Sequence, residues 1–219
     1  MKLSIVIPMK NPECSKTRLA KVLNPSERKR LALYLFEKNL SFFQQMYPQH
    51  NLLVVTESQD IQQIAEGYGA EVLIEAPRAE QHVDQQQEQH ETLLQSGLNA
   101  AVSQAARYNA ERGFDSQLVI PGDIQALDLG EMETLLNHRV SERSVIVCPS
   151  YDGGTNAIMT TPPDVMPFCF GPNSSRKHLL AAFEAGLHTR RVFLESLSHD
   201  IDRPEDLSRV DSEFEKRSA

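Results

Sequence analysis

Residues 3–27 read LSIVIPMKNPECSKTRLAKVLNPSE. The apolar run Leu3–Ile7 predicts a buried strand, stopped by Pro8. The string Asn24-Pro25-Ser26-Glu27 opens a helix, with Asn24 as N-cap, Pro25 at the first helical position and Glu27 in the first turn. Strand, loop and helix in that order begin an α/β sheet. Ligands of such sheets sit beyond the carboxyl ends of the strands, where the loop 8–20 lies. That loop holds Lys10, Lys16 and Arg18 and no glycine. An anion bound there would meet side-chain charge rather than the backbone cradle of a glycine-rich loop. The competing reading is a run of solvated surface cations ahead of a helix.

Outward from this unit the pattern repeats. The first helix points Leu31, Leu35, Phe36, Leu40 and Phe43 inward and ends near Pro48. Strands are expected at Asn51–Val55, Glu71–Ile74, Ser116–Ile120 and Ser144–Cys148, a short one at Asn156–Thr160, and a last one at Arg191–Leu194. Helices are expected from Ser58 to Gly67, over roughly 91–112, from Gly130 to His138, from Ser174 to Gly186, and for a turn or two over Pro204–Val210. Residues 77–90, PRAEQHVDQQQEQH, read as a mobile polar loop, and Glu213–Ala219 as a frayed polar tail. The alternation predicts one α/β domain over 1–219, a mostly parallel sheet with helices on both faces.

Composition narrows the function. The net charge is −8, which argues against general nucleic-acid binding. Residues 10–30 go the other way, with Lys10, Lys16, Arg18, Lys21, Arg28, Lys29 and Arg30 against Glu13 and Glu27. A small polyanion suits that end better than a duplex. No apolar run reaches membrane-spanning length and no signal-peptide pattern opens the chain. Cys14, Cys148 and Cys169 form no CxxC pair, so reduced thiols in a cytoplasmic protein are expected. GxxxxGK[ST], GxSxG and HExxH are all missing, and Gly67-Tyr68-Gly69 is a lone GxG after a helix.

Four further stretches carry candidate chemistry. Asp123 follows the strand end Val119-Ile120, where a carboxylate suits a hard divalent cation or simply bonds its own turn. In His199-Asp200-Ile201-Asp202-Arg203-Pro204, an extended backbone puts Asp200 and Asp202 on one side and Ile201 in the core. Two such carboxylates repel unless a cation lies between them, although Asp202 could also cap the helix at Pro204. With Asp123 they predict a three-carboxylate magnesium site. Asp152-Gly153-Gly154-Thr155-Asn156 is either a tight turn or a close approach to a ligand. Phe170-Gly171-Pro172-Asn173-Ser174 precedes a helix whose free N–H groups favour a carboxylate or phosphate.

Taken in order, IPMKNPECSKTRL, Gly97-Leu98-Asn99-Ala100-Ala101, PGDIQAL, DGGTNA, FGPNSSRKH and DIDRPEDL resemble the guanylyltransferase family of deazaflavin coenzyme biosynthesis. That family includes 2-phospho-L-lactate guanylyltransferase and its phosphoenolpyruvate and 3-phospho-D-glycerate counterparts. The resemblance implies a nucleotidyltransferase (GT-A-like) fold, Mg2+, and transfer of GMP from GTP to the phosphate of a three-carbon phosphoacid, with loss of pyrophosphate. It implies that Lys10, Lys16 and Arg18 meet the GTP phosphates and that Lys16, Arg18 and Asp123 are catalytic. Asp123, Asp200 and Asp202 would bind the metal, and Asn99 would help hold the nucleotide. Thr155, Asn156, Gly171 and Ser174 would line the acceptor pocket. The implied partners are GTP, a small phosphorylated acid and a downstream deazaflavin transferase, with a homodimer left open. A non-catalytic nucleotide- or metabolite-binding module, and another GT-A-like nucleotide- or sugar-transferase, stand as the alternatives. The Gln-rich loop, the helix after it and the 150s are expected to tell the acids apart.

Overall fold

The computed structural model describes residues 1–76, 97–138, 141–210 and Phe214. The Gln-rich loop, the first turns of the helix expected over 91–112, and most of the polar tail lie outside the described residues. Strands are β1 (Leu3–Pro8), β2 (Asn51–Thr56), β3 (Glu71–Ile74), β4 (Ser116–Val119), β5 (Ser144–Pro149), β6 (Thr155–Thr161) and β7 (His188–Arg191). Helices are α1 (Pro25–Met46), α2 (Gln59–Gly67), α3 (Leu98–Glu111), α4 (Leu129–Asn137) and α5 (Ser174–Glu184).

The strands form one sheet in the order β3-β2-β1-β4-β6-β5-β7. β6 runs antiparallel to β4 and β5, and the other pairings are parallel. The sequence reading of a mostly parallel sheet holds, with β6 as the reversed strand.

Alternation along each strand builds two cores. Ile5 and Ile7 of β1 and Leu118 of β4 meet Phe36, Leu40, Ile61 and Met132, so α1, α2 and α4 cover one face. Val6, Val55 and Val119 point the other way, onto Val102 and Ala105 of α3 and Ala182 of α5. Parallel strands packed on both faces need apolar residues at nearly every position, as LSIVIP supplies. The α1 start is a capping box: Asn24 Oδ1 accepts from the Glu27 amide at 3.0 Å, and a Glu27 oxygen accepts from the Asn24 amide at 2.7 Å.

A third, smaller cluster sets the site. Leu19, Leu31, Tyr34, Leu35 and Ile201 are buried together. Leu19 belongs to the cationic loop and Ile201 to the Asp-Ile-Asp segment, 182 positions apart in number but anchored on the same stripe of α1. Burying those two apolar side chains side by side brings their polar neighbours together beyond the carboxyl ends of the central strands.

Two expectations change at the C-terminal end. The last strand lies at His188–Arg191 rather than Arg191–Leu194. It is an edge strand with every residue exposed, so it lacks the apolar run sought in the sequence, while Leu194 is buried beyond its end. Phe214, within the supposed polar tail, packs on Tyr34 with ring centroids 5.3 Å apart. No helix among the described residues is long and apolar enough to cross a membrane.

Candidate functional site

The strand order turns at β1 and β4: the connections lead to β2 and β3 on one side and to β6, β5 and β7 on the other. A crevice opens beyond the carboxyl ends of strands at such a switch point. Here it is a cleft of about 720 Å³, lined among others by Lys10, Lys16, Arg18, Gly122, Asp123 and Asp202.

The loop after β1 is held by its own backbone. Asn11 accepts from the Glu13 amide at 3.0 Å, Ser15 donates to the Asn11 carbonyl at 3.2 Å, and Leu19 N–H bonds the Lys16 carbonyl at 2.9 Å. Lys16 takes a left-handed conformation, φ 55°, which costs a non-glycine residue on the order of 1 kcal/mol or more. That turn drives its side chain inward, where Nζ donates to Asp123 Oδ2 at 2.7 Å with only 2% of the side chain exposed. Arg18 pairs with Asp202. Lys10 is exposed at the cleft.

Asp123 is placed by its neighbour. A Cβ on Gly122 would stand 3.1 Å from Phe36 Cδ2 and 3.3 Å from both Ile7 Cγ2 and Met9 Sδ. The Pro121–Asp123 segment therefore presses against the end of β1 and α1, and a larger residue would lift Asp123 away. An isolated antiparallel bridge, Ile124 to Asp200, joins this segment to the Asp-Ile-Asp segment.

The electrostatics follow from that packing. Burial pushes Asp123 up, but Lys16, with help from Lys10, outweighs it and holds the carboxyl below its ordinary value. Asp200 has no such counter-charge in contact: burial first and Asp123 second push it up to about 6. Two carboxylates thus lean on each other, and the buried Lys16 ammonium offsets Asp123 directly and Asp200 only at a distance.

Asp200 and Asp202 both line a second, smaller cleft of about 380 Å³, so they share a face, and Ile201 is fully buried as expected. Among the described residues, however, no group of three His, Cys, Asp or Glu side chains is gathered so as to hold a metal ion. Of the three carboxylates read from the sequence, Asp123 and Asp200 act on each other, and Asp202, whose charge also bears on Asp200, is paired with Arg18. Nor does Asp202 cap the last helical turn: Asp206 does so, accepting from the Arg203 amide at 2.7 Å and the Asp202 amide at 3.1 Å.

The remaining sequence candidates fall behind the clefts. Asn99 is 7% exposed and bonds the Phe170 backbone twice, accepting from its amide at 2.7 Å and donating to its carbonyl at 3.3 Å. It fixes the loop before α5 and lines neither cleft. Thr155 and Ser174 are buried, Ser174 Oγ donating to Thr155 Oγ1 at 2.9 Å. Gly171, at φ 129°, turns the chain into α5. Asn156 is the extra residue where the β5–β6 register shifts, a bulge, and its Nδ2 is buried without a hydrogen-bond partner among the described residues. None of Thr155, Asn156, Gly171 or Ser174 lines either cleft.

Sequence reasoning missed His178 as the hub of this wall. Its Nε2 accepts from the Cys169 amide at 2.8 Å, so the ring's single proton sits on Nδ1 and is donated to Thr155 Oγ1 at 3.1 Å. Its spacing from Ser174, one turn of helix, is the signal that could have found it. Burial first and Lys177 second pull the His178 pKa from 6.5 to about 4. A histidine kept neutral in the fold makes the native state bind fewer protons than the unfolded chain between those values. Its contribution is intact above pH 6.5 and is lost as pH falls towards 4, on the order of 3 kcal/mol in all. In urea titrations, His178→Gln should be the less stable protein at pH 7, with the gap to wild type closing on acidification. Parallel slopes from pH 7 to 4 would remove the histidine from the acid response.

Comparison with known proteins gives concordant findings. The family model described as Guanylyl transferase CofC like matches residues 3–211. The chain is 45% identical over 207 residues to a Colwellia psychrerythraea protein named 3-phospho-D-glycerate guanylyltransferase, covering 94% of this chain and 90% of that one. It is 30% identical over 204 residues to a Conexibacter woesei protein named phosphoenolpyruvate guanylyltransferase, covering 92% and 84%. Among solved structures, a cytidylyltransferase from Leptospira borgpetersenii superposes with a TM-score of 0.57 at 14% identity, covering 94% of this chain and 84% of that one. At that identity the likeness speaks for the nucleotidyltransferase fold alone.

Proposed function

The chain belongs to the CofC-like guanylyl transferase family, and from that premise we propose that it moves GMP from GTP to the phosphate of a phosphorylated three-carbon acid, 3-phospho-D-glycerate first among the three. The observation that carries this reading is one cleft, at the switch point, on which Lys16, Arg18, Asp123 and Asp202 converge.

GTP occupies the larger cleft in this reading, its phosphates drawing on Lys10, Lys16 and Arg18. An oxygen of the acceptor phosphate attacks the α-phosphorus, the new P–O–P bond forms, and the bond to the β-phosphate oxygen breaks with loss of pyrophosphate. The cations take up charge as it moves onto the leaving group, and the substrates are aligned rather than covalently bound. Asp123 and Asp200 are the residues that would hold magnesium. A coupled carboxylate pair, one member still protonated up to about pH 6, is a donor set short of positive charge. Magnesium is commonly bound by one or two carboxylates with substrate phosphates completing its shell, so a pair suffices. When bound, the ion supplies charge neutralisation at the reacting phosphate.

Thr155, Asn156, Gly171 and Ser174 support the acceptor side from behind, as the wall that holds the Asp152–Gly154 turn in place. Asn99 supports the nucleotide side from behind, on the helix whose Gly97, Leu98 and Ala101 line the larger cleft. The reading extends to a single domain working in the cytoplasm on deazaflavin coenzyme biosynthesis, its product handed to a transferase; the three cysteines, all free, accord with a reducing compartment.

Pyrophosphate release is the test, with GTP, magnesium and each acid in turn, and ATP and CTP as controls. Release is expected with GTP and 3-phospho-D-glycerate. Silence with 3-phospho-D-glycerate, phosphoenolpyruvate and 2-phospho-L-lactate, in a protein that still binds GTP, would overturn the reading in favour of a binding module.

A further inference from the structure

Glu131 stands at the third position of α4, where a glutamate ordinarily closes a capping box. The first half of the box is present: Asp128 Oδ1 accepts from the Glu131 amide at 2.9 Å. In the matching box of α1, Glu27 reaches back to the amide of its own cap residue. The Glu131 carboxylate reaches instead to a segment 64 positions further along the chain. One oxygen accepts from the Glu195 amide at 2.8 Å, and the other from the Ser196 amide at 2.9 Å and from Ser196 Oγ. A carboxylate that takes two consecutive amides and a hydroxyl fixes where that segment lies and which way it faces, and its charge strengthens each bond.

The clamped segment leads straight to Asp200. Ser196–Ser198 is a single helical turn, with Ser198 Oγ donating to the Glu195 carbonyl at 2.7 Å. Apolar packing places this turn coarsely: Leu194 and Leu197 are buried in one core with Met132 and Leu135 of α4. The carboxylate adds the direction that apolar contacts leave loose. Beyond Asp200 the chain is pinned again, by Ile201 buried against α1 and by Asp206, which takes the Asp202 and Arg203 amides. Between those anchors an isolated bridge, Ile124 to Asp200, sets Asp200 beside the segment that carries Asp123. A single bridge holds register weakly unless the chain on either side of it is fixed. Glu131 fixes the upstream side, and it does so from the same stretch, Asp123 to α4, that presents the other carboxylate.

We infer that Glu131 is a positioning residue: through Ser196 and the turn that follows, its carboxylate sets the spacing of Asp123 and Asp200 and with it their affinity for a divalent cation. The inference rests on the reading above, in which that pair holds magnesium. It is tested by titrating Mn2+ into the apoprotein and following the free-ion resonance signal, with Asp200→Asn marking the share of binding that belongs to the pair. Glu131→Ala should weaken that share roughly tenfold or more, the usual cost of removing a group that orients a metal ligand. Glu131→Gln keeps one acceptor oxygen and turns the other into an NH2 that faces a donor, so its loss should be intermediate. Ser196→Ala keeps both amide bonds and should lose least.

Pyrophosphate release should follow the same order in the Mg2+ concentration that gives half the maximal rate, with kcat largely recovered at saturating Mg2+. Asp128→Ala controls for a loosened helix: it removes the α4 cap and should lower the melting temperature with Mn2+ affinity unchanged. Mn2+ affinity equal to wild type in both Glu131 variants, at any melting temperature, would make the clamp a matter of stability and overturn the inference. So would an Asp128→Ala protein that loses as much affinity as Glu131→Ala, and so would a wild-type protein whose Mn2+ binding is untouched by Asp200→Asn. Should Glu131→Ala not fold, Glu131→Gln and Ser196→Ala decide on the same terms. The two readings fail separately. A protein whose Mn2+ affinity falls with Glu131 but which releases no pyrophosphate with any of the three acids refutes guanylyl transfer alone. A wild-type protein that turns over, with Glu131 variants that match it in Mn2+ affinity and Mg2+ requirement, refutes the clamp alone.

Discussion

Asp123→Asn is expected to lower kcat for pyrophosphate release by roughly a thousandfold or more while the protein still folds. The substitution keeps the size of the side chain and the Pro121-Gly122 turn beneath it, so the packing against Phe36, Ile7 and Met9 survives. What goes is the charge. Lys16 Nζ, 2.7 Å away and almost wholly buried, loses its carboxylate partner. Asp200 loses the neighbour that helps push its pKa to about 6. The pair that would hold magnesium is reduced to one carboxylate, and the cation that would meet the triphosphate loses its anchor. Leaving the Lys16 ammonium without its counter-ion costs on the order of 2 kcal/mol, less than for a sealed pair because Asp123 faces the cleft. For a chain of this length that is a fall in melting temperature of roughly 4–8 °C. Thermal melts by circular dichroism and pyrophosphate release on the same preparation separate the two effects. A variant with near-normal turnover would take Asp123 out of the chemistry.

The parts of this site differ in how legible they were. Strand and helix positions came readily from period and punctuation, because LSIVIP, NPSE and their counterparts carry local signals that tertiary packing does not contradict. β7 escaped because an edge strand of exposed residues, HTRR, has no apolar pattern to read. The cations and Asp123 were visible as residues but not as pairs. Their pairing depends on Leu19 and Ile201 sharing one stripe of α1, a contact between distant segments that no window of sequence encodes. The same gap explains the metal set. Alternation correctly put Asp200 and Asp202 on one side, but only the folded chain reveals that Arg18 takes one of them. Thr155 and Ser174 announced polarity near a glycine turn. Whether such hydroxyls face a ligand or one another depends on the buried histidine at 178, and here they bond to one another and to its ring.

Lys16→Met should show which partner Asp123 is built for. Methionine keeps much of the apolar stem in the same buried slot while removing the charge. Pyrophosphate release is expected to fall by roughly a hundredfold or more, since a charge on the leaving group goes unmet. Activity alone would not distinguish loss of a phosphate contact from a disturbed loop, so the telling measurement is divalent binding without nucleotide. With Lys16 present, Asp123 already has a cation, and a metal ion must share it. With Lys16 gone, Asp123 and Asp200 face each other with less opposing charge, and a divalent ion relieves more repulsion by binding. Removing one positive charge beside a partly solvated site is worth about a tenfold gain in divalent affinity. Titration of the apoprotein with Mn2+, followed by the loss of its free-ion resonance signal, should therefore give tighter binding in Lys16→Met than in wild type. Adding GTP should narrow the gap, because in the wild type the triphosphate would draw Lys16 off Asp123 and free the carboxylate. Equal Mn2+ affinity in the two proteins, with and without GTP, would mean that lysine and metal do not compete for Asp123, and the carboxylate would then belong to the loop's structure rather than to the reaction.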